Sequence, residues 1–153
     1  MTAILTNSRE RTRFIRFSVV GAFGAVVDFG VMNLLVKVFQ ASLVFAGTIS
    51  FIAAILSNFT WNRYWTYPDS RSKPIITQLI QFAIVNVMGL IIRLPILKFL
   101  EPLMEELLSA LPMRIPFRNI PTIADNLTLA VAVVVVMFWN FFINRYWTYN
   151  DIQ

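Results

Sequence analysis

The chain of 153 residues has neither cysteine nor histidine. Without cysteine there is no disulfide framework, no thiol nucleophile and no Cys-ligated zinc. Without histidine there is no Ser-His-Asp triad, no imidazole acid or base, and scarcely any route to a zinc site. Charge is sparse as well. Charged residues make up 14% and hydrophobic residues 58%, against about 25% and about 45–50% in a soluble domain. Acids are the scarcer sign, with 8 Asp and Glu against 13 Lys and Arg. The sequence has no glycine-rich phosphate loop, no metal-ligand cluster and no carboxylate pair set for acid/base work. A non-enzymatic protein without cofactor is therefore expected. The aromatic content, with 14 Phe, 4 Trp and 4 Tyr, excludes a disordered chain.

What is abundant is long uncharged sequence. Val38 to Asn62, Pro74 to Ile92 and Asn126 to Asn144 carry no charge, and Phe17 to Val36 is interrupted only by Asp28. About 20 apolar residues in a helix cross roughly 30 Å of hydrocarbon. Lipid leaves the backbone no partner but itself, so these segments are helices. The expected fold is all-α, a polytopic membrane protein with helices near 14–36, 43–64, 78–99 and 128–146, forming one domain over 1–153. Lys and Arg cluster on the cytoplasmic side of membrane proteins. Arg9, Arg11, Arg13, Arg16, Arg63, Arg71, Lys73 and Arg145 fall on one side, and Lys37, Lys98, Arg114 and Arg118 on the other. That bias predicts a cytoplasmic-membrane protein with both termini cytoplasmic. The first apolar run is too long for a cleaved signal and no small-residue cleavage site follows it, so none is expected. The basic residues sort by membrane side, not into an aromatic-interleaved patch, so nucleic acid is not an expected partner.

The sequence repeats. Asn58-Phe59 matches Asn140-Phe141, and Asn62-Arg63-Tyr64-Trp65-Thr66-Tyr67 matches Asn144-Arg145-Tyr146-Trp147-Thr148-Tyr149. Helices one and three also align, Phe17 with Phe82, Gly24 with Gly89 and Leu35 with Leu100. The chain thus reads as two hairpins, one over about 14–67 and one over about 78–149. Two helices per repeat imply a pseudo-twofold axis along the membrane normal, with a substrate site between the halves.

Asn58, Asn62 and Thr66 share a helix face, as do Asn140, Asn144 and Thr148. The asparagines either bond helices together or line a polar cavity. Beside them, Arg63, Trp65 and Tyr67 and their mates Arg145, Trp147 and Tyr149 suit an interfacial anchor. Deeper, Gly21, Gly24 and Asp28 align with Asn86, Gly89 and Arg93. The glycines would admit a neighbouring backbone. A charge at mid-membrane costs about 2.5–3.5 kcal/mol unless paired or hydrated. Asp28 and Arg93 are therefore read either as an ion pair locking the hairpins or as a phosphate grip and protonatable switch. Pro95 should kink or end helix three. The outer loop 101–127 should hold a short amphipathic surface helix, with Leu103, Met104, Leu107, Leu108 and Leu111 on its apolar face.

Through Arg16-Phe17, Gly21, Asp28 and the two Asn-Arg-Tyr-Trp-Thr-Tyr ends, the chain resembles the GtrA-like family of small four-helix membrane proteins. Tyr67 and Tyr149 stand where that family has Phe more often, and Arg93 and the long outer loop lie outside its pattern. The resemblance implies flipping of a polyprenyl-phosphate-linked sugar, such as undecaprenyl-phosphate glucose, for surface polysaccharide synthesis. It implies a membrane glycosyltransferase as partner. The head would meet Asn58, Asn62, Arg63, Trp65, Asn140, Asn144, Arg145 and Trp147, then Asp28, Asn86 and Arg93 deeper along the path. Four helices are few to enclose a head group, so a homo-oligomer or a groove open to membrane lipid is expected. A scaffold that recruits the glycosyltransferase is a second reading. A proton-coupled cation exporter is a third, opposed by the charge bias and the repeat.

Overall fold

The computed structural model describes residues 7–110 and 120–152. Four long helices dominate: α1 (Ser8–Lys37), α2 (Leu43–Trp61), α3 (Ile75–Ala110) and α4 (Ile120–Ile143). α2 and α4 each run on into one π turn, Asn62–Thr66 and Asn144–Thr148. Ser8–Lys37, Ile75–Ala110 and Ile123–Thr148 are long and apolar enough to cross a membrane, and the most apolar 18 residues of each have a mean hydropathy of 2.0 to 2.1. α2, with 19 uncharged residues, spans about 28 Å at about 1.5 Å per residue. In the most apolar window of α1, 11% of residues are buried. Val26, Phe29, Leu94 and Phe99 are among the large apolar side chains left facing outward. Such a surface belongs in lipid, and the chain is an all-α polytopic membrane protein.

α1 begins six residues earlier than the hydrophobic run suggests. Asn7 caps it, its Oδ1 accepting from Arg9 N at 2.9 Å, and Glu10 sits in the first turn. A polar cap with an acid three residues on is a helix-start signature. It places Arg9, Arg11 and Arg13 on the helix, ahead of its expected start at 14. α2 is capped by the Ser42 hydroxyl, which accepts from Phe45 N. The turn between α1 and α2 is closed by Gln40 at a left-handed φ of 52°.

Pro95 does not end the third helix. α3 continues through Pro95 and Pro102 to Ala110, so Leu103 to Leu108 prolong the third helix instead of forming a separate surface helix. Each proline removes one backbone donor, yet neighbouring Leu, Met, Lys and Glu favour helix, and no glycine or polar turn separates them. Leu111, Pro112, Arg114, Pro116 and Arg118 lie outside the described residues.

Contacts divide the chain into two compact units, Met1–Ile84 with Ile143–Gln153, and Val85–Phe142. In the first, α1 and α2 pair tightly. Gly24 is buried, and a Cβ there would overlap the Asn58 amide. Phe23 meets Trp61 edge to face at 6.2 Å, and Phe59 meets Phe82 at 5.8 Å. In the second, Trp139 Nε1 donates to Val85 O at 3.2 Å. There a Cβ on Gly89 would lie 3.0 Å from both Asn140 Oδ1 and Val136 Cγ1. Gly24 with Asn58 and Gly89 with Asn140 are corresponding pairs of the sequence repeat. The close neighbours are side chains, the Asn58 amide at Gly24 and the Asn140 amide with the Val136 methyl at Gly89, not the backbone anticipated from glycine spacing, and Gly21 has nothing within 4 Å of its Cβ position.

Candidate functional site

The first unit gathers both repeat ends and the start of α1. Each π turn closes with an i to i−5 bond, Tyr67 N to Asn62 O and Tyr149 N to Asn144 O, both 2.8 Å. Such turns recur at functional sites because they re-aim side chains. Here they turn Tyr67 and Tyr149 inward. Both are fully buried and stack with ring centroids 4.3 Å apart and planes at 19°. The tyrosines are thus not headgroup anchors. Burial pushes both phenols well above their ordinary value, so both stay protonated. The anchor reading fits Trp65 and Trp147 instead, which are 39% and 41% exposed.

Around this stack the repeats are matched in position and unequal in chemistry. Arg145 Nε lies 3.1 Å from both Glu10 carboxylate oxygens. Glu10 also takes Arg13 Nη1 at 2.6 Å, and Arg13 Nη2 reaches Asp69 at 2.7 Å. Thr148 Oγ1 donates to Asn144 Oδ1 at 2.8 Å. Arg63, the mate of Arg145, is buried, and its Nε and Nη1 meet no partner among the described residues. Asn62 Oδ1 and Thr66 Oγ1 are likewise buried and unpartnered there.

Position 69 recurs as Asp151, which accepts from Ser70 Oγ, from Ser72 Oγ at 2.7 Å and from Ser72 N at 3.0 Å. Gln78, standing where the first repeat has Arg13, donates to Ser70 Oγ at 2.6 Å. Burial works against the Asp151 carboxylate, but these hydrogen bonds outweigh it and hold its carboxyl below the ordinary value. The two tryptophan carbonyls are matched too. Arg16 Nη1 donates to Trp65 O at 2.9 Å, and Lys73 Nζ donates to Trp147 O at 2.7 Å.

A cleft of about 340 Å³ opens beside α1, lined by Ser8, Arg9, Thr12, Arg13, Arg16 and Thr66. Pro68 and Asp69 complete its wall. Three guanidinium groups, three hydroxyls and a helix N-terminus face one carboxylate. Guanidinium forks and free helix amides suit phosphate oxygens. One turn further along α1 lies an apolar groove of about 320 Å³, lined by Val19, Val20, Phe23, Trp61 and Trp65. Arg16 joins the two, with its guanidinium 5.5 Å from the centre of the Trp65 ring.

Of the residues singled out from sequence, Asn62, Arg63, Trp65, Asn144, Arg145 and Trp147 come together in this first unit. Asn58 lies deeper in the same unit against Gly24, and Asp28 is half-buried further along α1. Asn86, Arg93 and Asn140 belong to the second unit, each half-buried. Arg93 Nε is buried and unpartnered among the described residues. The sequence reading missed Ser8, Arg9, Thr12, Arg13 and Arg16 as a site, because the charge bias explains the three arginines by topology alone and nothing singles out the two hydroxyls. The Asn7 cap was the signal that would have put them on one helical face.

The model of the GtrA/DPMS transmembrane domain matches residues 16–149. The chain belongs to the GtrA/DPMS family. Among its curated relatives, a dolichol-phosphate mannosyltransferase of Pyrococcus furiosus is 34% identical over 86 residues, which is 54% of this chain and 23% of that protein. A membrane protein of Bacillus subtilis, YngA, is 33% identical over 72 residues, 47% of each chain. The GtrA/DPMS chain thus spans less than half the length of either relative.

Proposed function

We propose that this GtrA/DPMS protein moves a polyprenyl-phosphate-linked sugar across the cytoplasmic membrane, with both termini cytoplasmic. The observation that carries the reading is the polar cleft abutting the apolar groove on α1. A polyprenyl phosphate is an anion on a long hydrocarbon, and the pair of recesses has that same division. Arg9 and Arg16 contact the phosphate, Ser8, Thr12 and Thr66 offer hydroxyls, and the tail lies along Val19, Phe23 and Trp61. Trp65 stands at the junction, where an indole tolerates both phases. Asn58 and Asp28, further along the same unit, supply polar stations deeper on the path. The chain itself makes and breaks no covalent bond. A partner glycosyltransferase makes the lipid-linked sugar, and a homo-oligomer encloses the head group.

The test is reconstitution in liposomes with a labelled polyprenyl-phosphate sugar. Leaflet exchange should exceed that of empty liposomes, and Arg9→Gln with Arg16→Gln should reduce it by about tenfold, as expected for one or two lost charge-assisted contacts. Exchange equal to that of empty liposomes overturns the reading. A second reading, a scaffold for the glycosyltransferase, draws on the mannosyltransferase relative, of which the matching stretch forms 23%. Co-purification of the enzyme without exchange would favour it.

A further inference from the structure

The cleft beside α1 holds one carboxylate among its guanidinium groups, and the charges do not cancel evenly. Arg13 is engaged at both ends of its fork: Nη1 donates to Glu10 Oε1 at 2.6 Å and Nη2 to Asp69 Oδ2 at 2.7 Å. Arg9 and Arg16 enter no ion pair among the described residues, and Arg16 donates to the neutral Trp65 carbonyl. Two cations are therefore left for a ligand. Asp69 is left in part as well. Its side chain is 45% exposed, and its Oδ1 accepts no hydrogen bond among the described residues. The repeat shows that a carboxylate at this place can be closed off. The mate, Asp151, has both oxygens taken by Ser70 and Ser72. In that half Pro74, Gln78 and Gln81 stand in the places of Arg9, Arg13 and Arg16. The half that carries the arginines is thus the one whose carboxylate lines a cleft. A site for phosphate alone gains nothing from an open carboxylate in its wall.

We propose that Asp69 makes the cleft select the sugar-bearing phosphodiester over the bare polyprenyl phosphate, by opposing the second negative charge of a monoester and accepting from a sugar hydroxyl. This rests on reading the cleft as the seat of a polyprenyl-phosphate head. A phosphomonoester carries a charge of about −1.5 to −2 at pH 7, whereas a diester has a single ionisable oxygen and one charge. Arg9 and Arg16 attract both heads, and by charge alone they attract the monoester more. Asp69 counters that preference, because repulsion by a carboxylate grows with the charge of the head. Its open oxygen is an acceptor only, and a sugar brings the hydroxyl donors that a phosphate dianion lacks. Asp69 is a specificity residue on this account: the carrier is admitted while it is loaded.

The test is calorimetric titration of the full chain in a nonionic detergent, at about pH 7, with farnesyl phosphate, its methyl diester and its glucosyl diester. The three share one tail, so their ratios isolate the head. The wild type should bind the glucosyl diester several-fold more tightly than farnesyl phosphate. Asp69→Asn should tighten farnesyl phosphate by on the order of tenfold and the methyl diester by about threefold, since the lost repulsion scales with the charge of the head. It should leave the glucosyl diester unchanged or weaker, because the relief is offset by the poorer hydroxyl acceptor. Asp151→Asn removes a carboxylate from the same unit but not from the cleft, and should keep the wild-type ratios. A role for Asp69 confined to holding Arg13 would move all three ligands alike, and that outcome overturns the proposal. So does a wild type that binds farnesyl phosphate as tightly as the glucosyl diester, or an Asp69→Asn variant with the wild-type ratio; both leave the reading of the cleft standing. A wild type that binds none of the three overturns that reading and this proposal with it.

Discussion

Gly24 and Gly89 occupy the same place in the two repeats, yet they tolerate change differently. A methyl group at Gly24 would overlap the Asn58 amide, whereas at Gly89 the nearest atoms are 3.0 Å away, and at Gly21 nothing lies within 4 Å. Alanine gains about 1 kcal/mol over glycine in a helix interior, while overpacking costs about 1–3 kcal/mol. Gly21→Ala should therefore be neutral or stabilising, and Gly89→Ala close to neutral. Gly24→Ala should lose about 1–2 kcal/mol, because Asn58 must leave its position. Unfolding midpoints in detergent order the three. A loss at Gly21 as large as at Gly24 would show that the α1–α2 approach is not what fixes this glycine. The sequence spacing located both glycines correctly. It could not say that an amide, not a backbone, fills the notch, because i, i+4 spacing names a face and not its occupant.

The two π turns have identical sequence, Asn-Arg-Tyr-Trp-Thr, and identical backbone closure. Their side chains differ because their neighbours do. Thr148 Oγ1 donates to Asn144 Oδ1, whereas Thr66 Oγ1 is buried without a partner among the described residues. A hydrogen bond of this kind contributes about 1 kcal/mol, and an unsatisfied hydroxyl contributes nothing and costs its desolvation. Thr148→Val should thus destabilise by about 1 kcal/mol, while Thr66→Val should be neutral or stabilising. Equal losses in chemical unfolding would refute the difference between the halves. At this scale the sequence carried the helices and the repeat clearly, since charge gaps and exact matches are local signals. It did not carry the start of α1, which a polar cap sets ahead of the apolar run. Nor did it carry the passage of α3 through Pro95 and Pro102, where strong helix formers on both sides outweigh two missing donors. The inward turn of Tyr67 and Tyr149 was hidden for another reason. Tyrosine beside arginine at a helix end is the usual interfacial pattern, and only the π turns reverse its direction.

Across the molecule, the segment ends of both repeats are tied together by side chains far apart in sequence. Glu10 links Arg13 to Arg145, and Asp151 holds Ser70 and Ser72 in the loop before α3. This latch was illegible in the sequence. Position 69 matches position 151, but a single acid gains meaning only once the chain has returned to meet it. Its chemistry gives the latch a pH dependence of defined sign. Although burial opposes the charged form, the serine hydrogen bonds place the folded Asp151 carboxyl below its ordinary value of 3.8. The unfolded chain therefore binds the proton more readily. The contribution of the latch is complete above that ordinary value and is lost as pH falls through the lower folded one. Midpoints of the wild type should hold from pH 7 to about 5 and then decline through this range. Asp151→Asn keeps the shape but offers one carbonyl acceptor where the carboxylate offers two oxygens. It should begin lower at neutral pH and show a shallower acid decline, so that the two curves converge at the acid end. Parallel curves would mean that Asp151 is not the group whose protonation releases the latch.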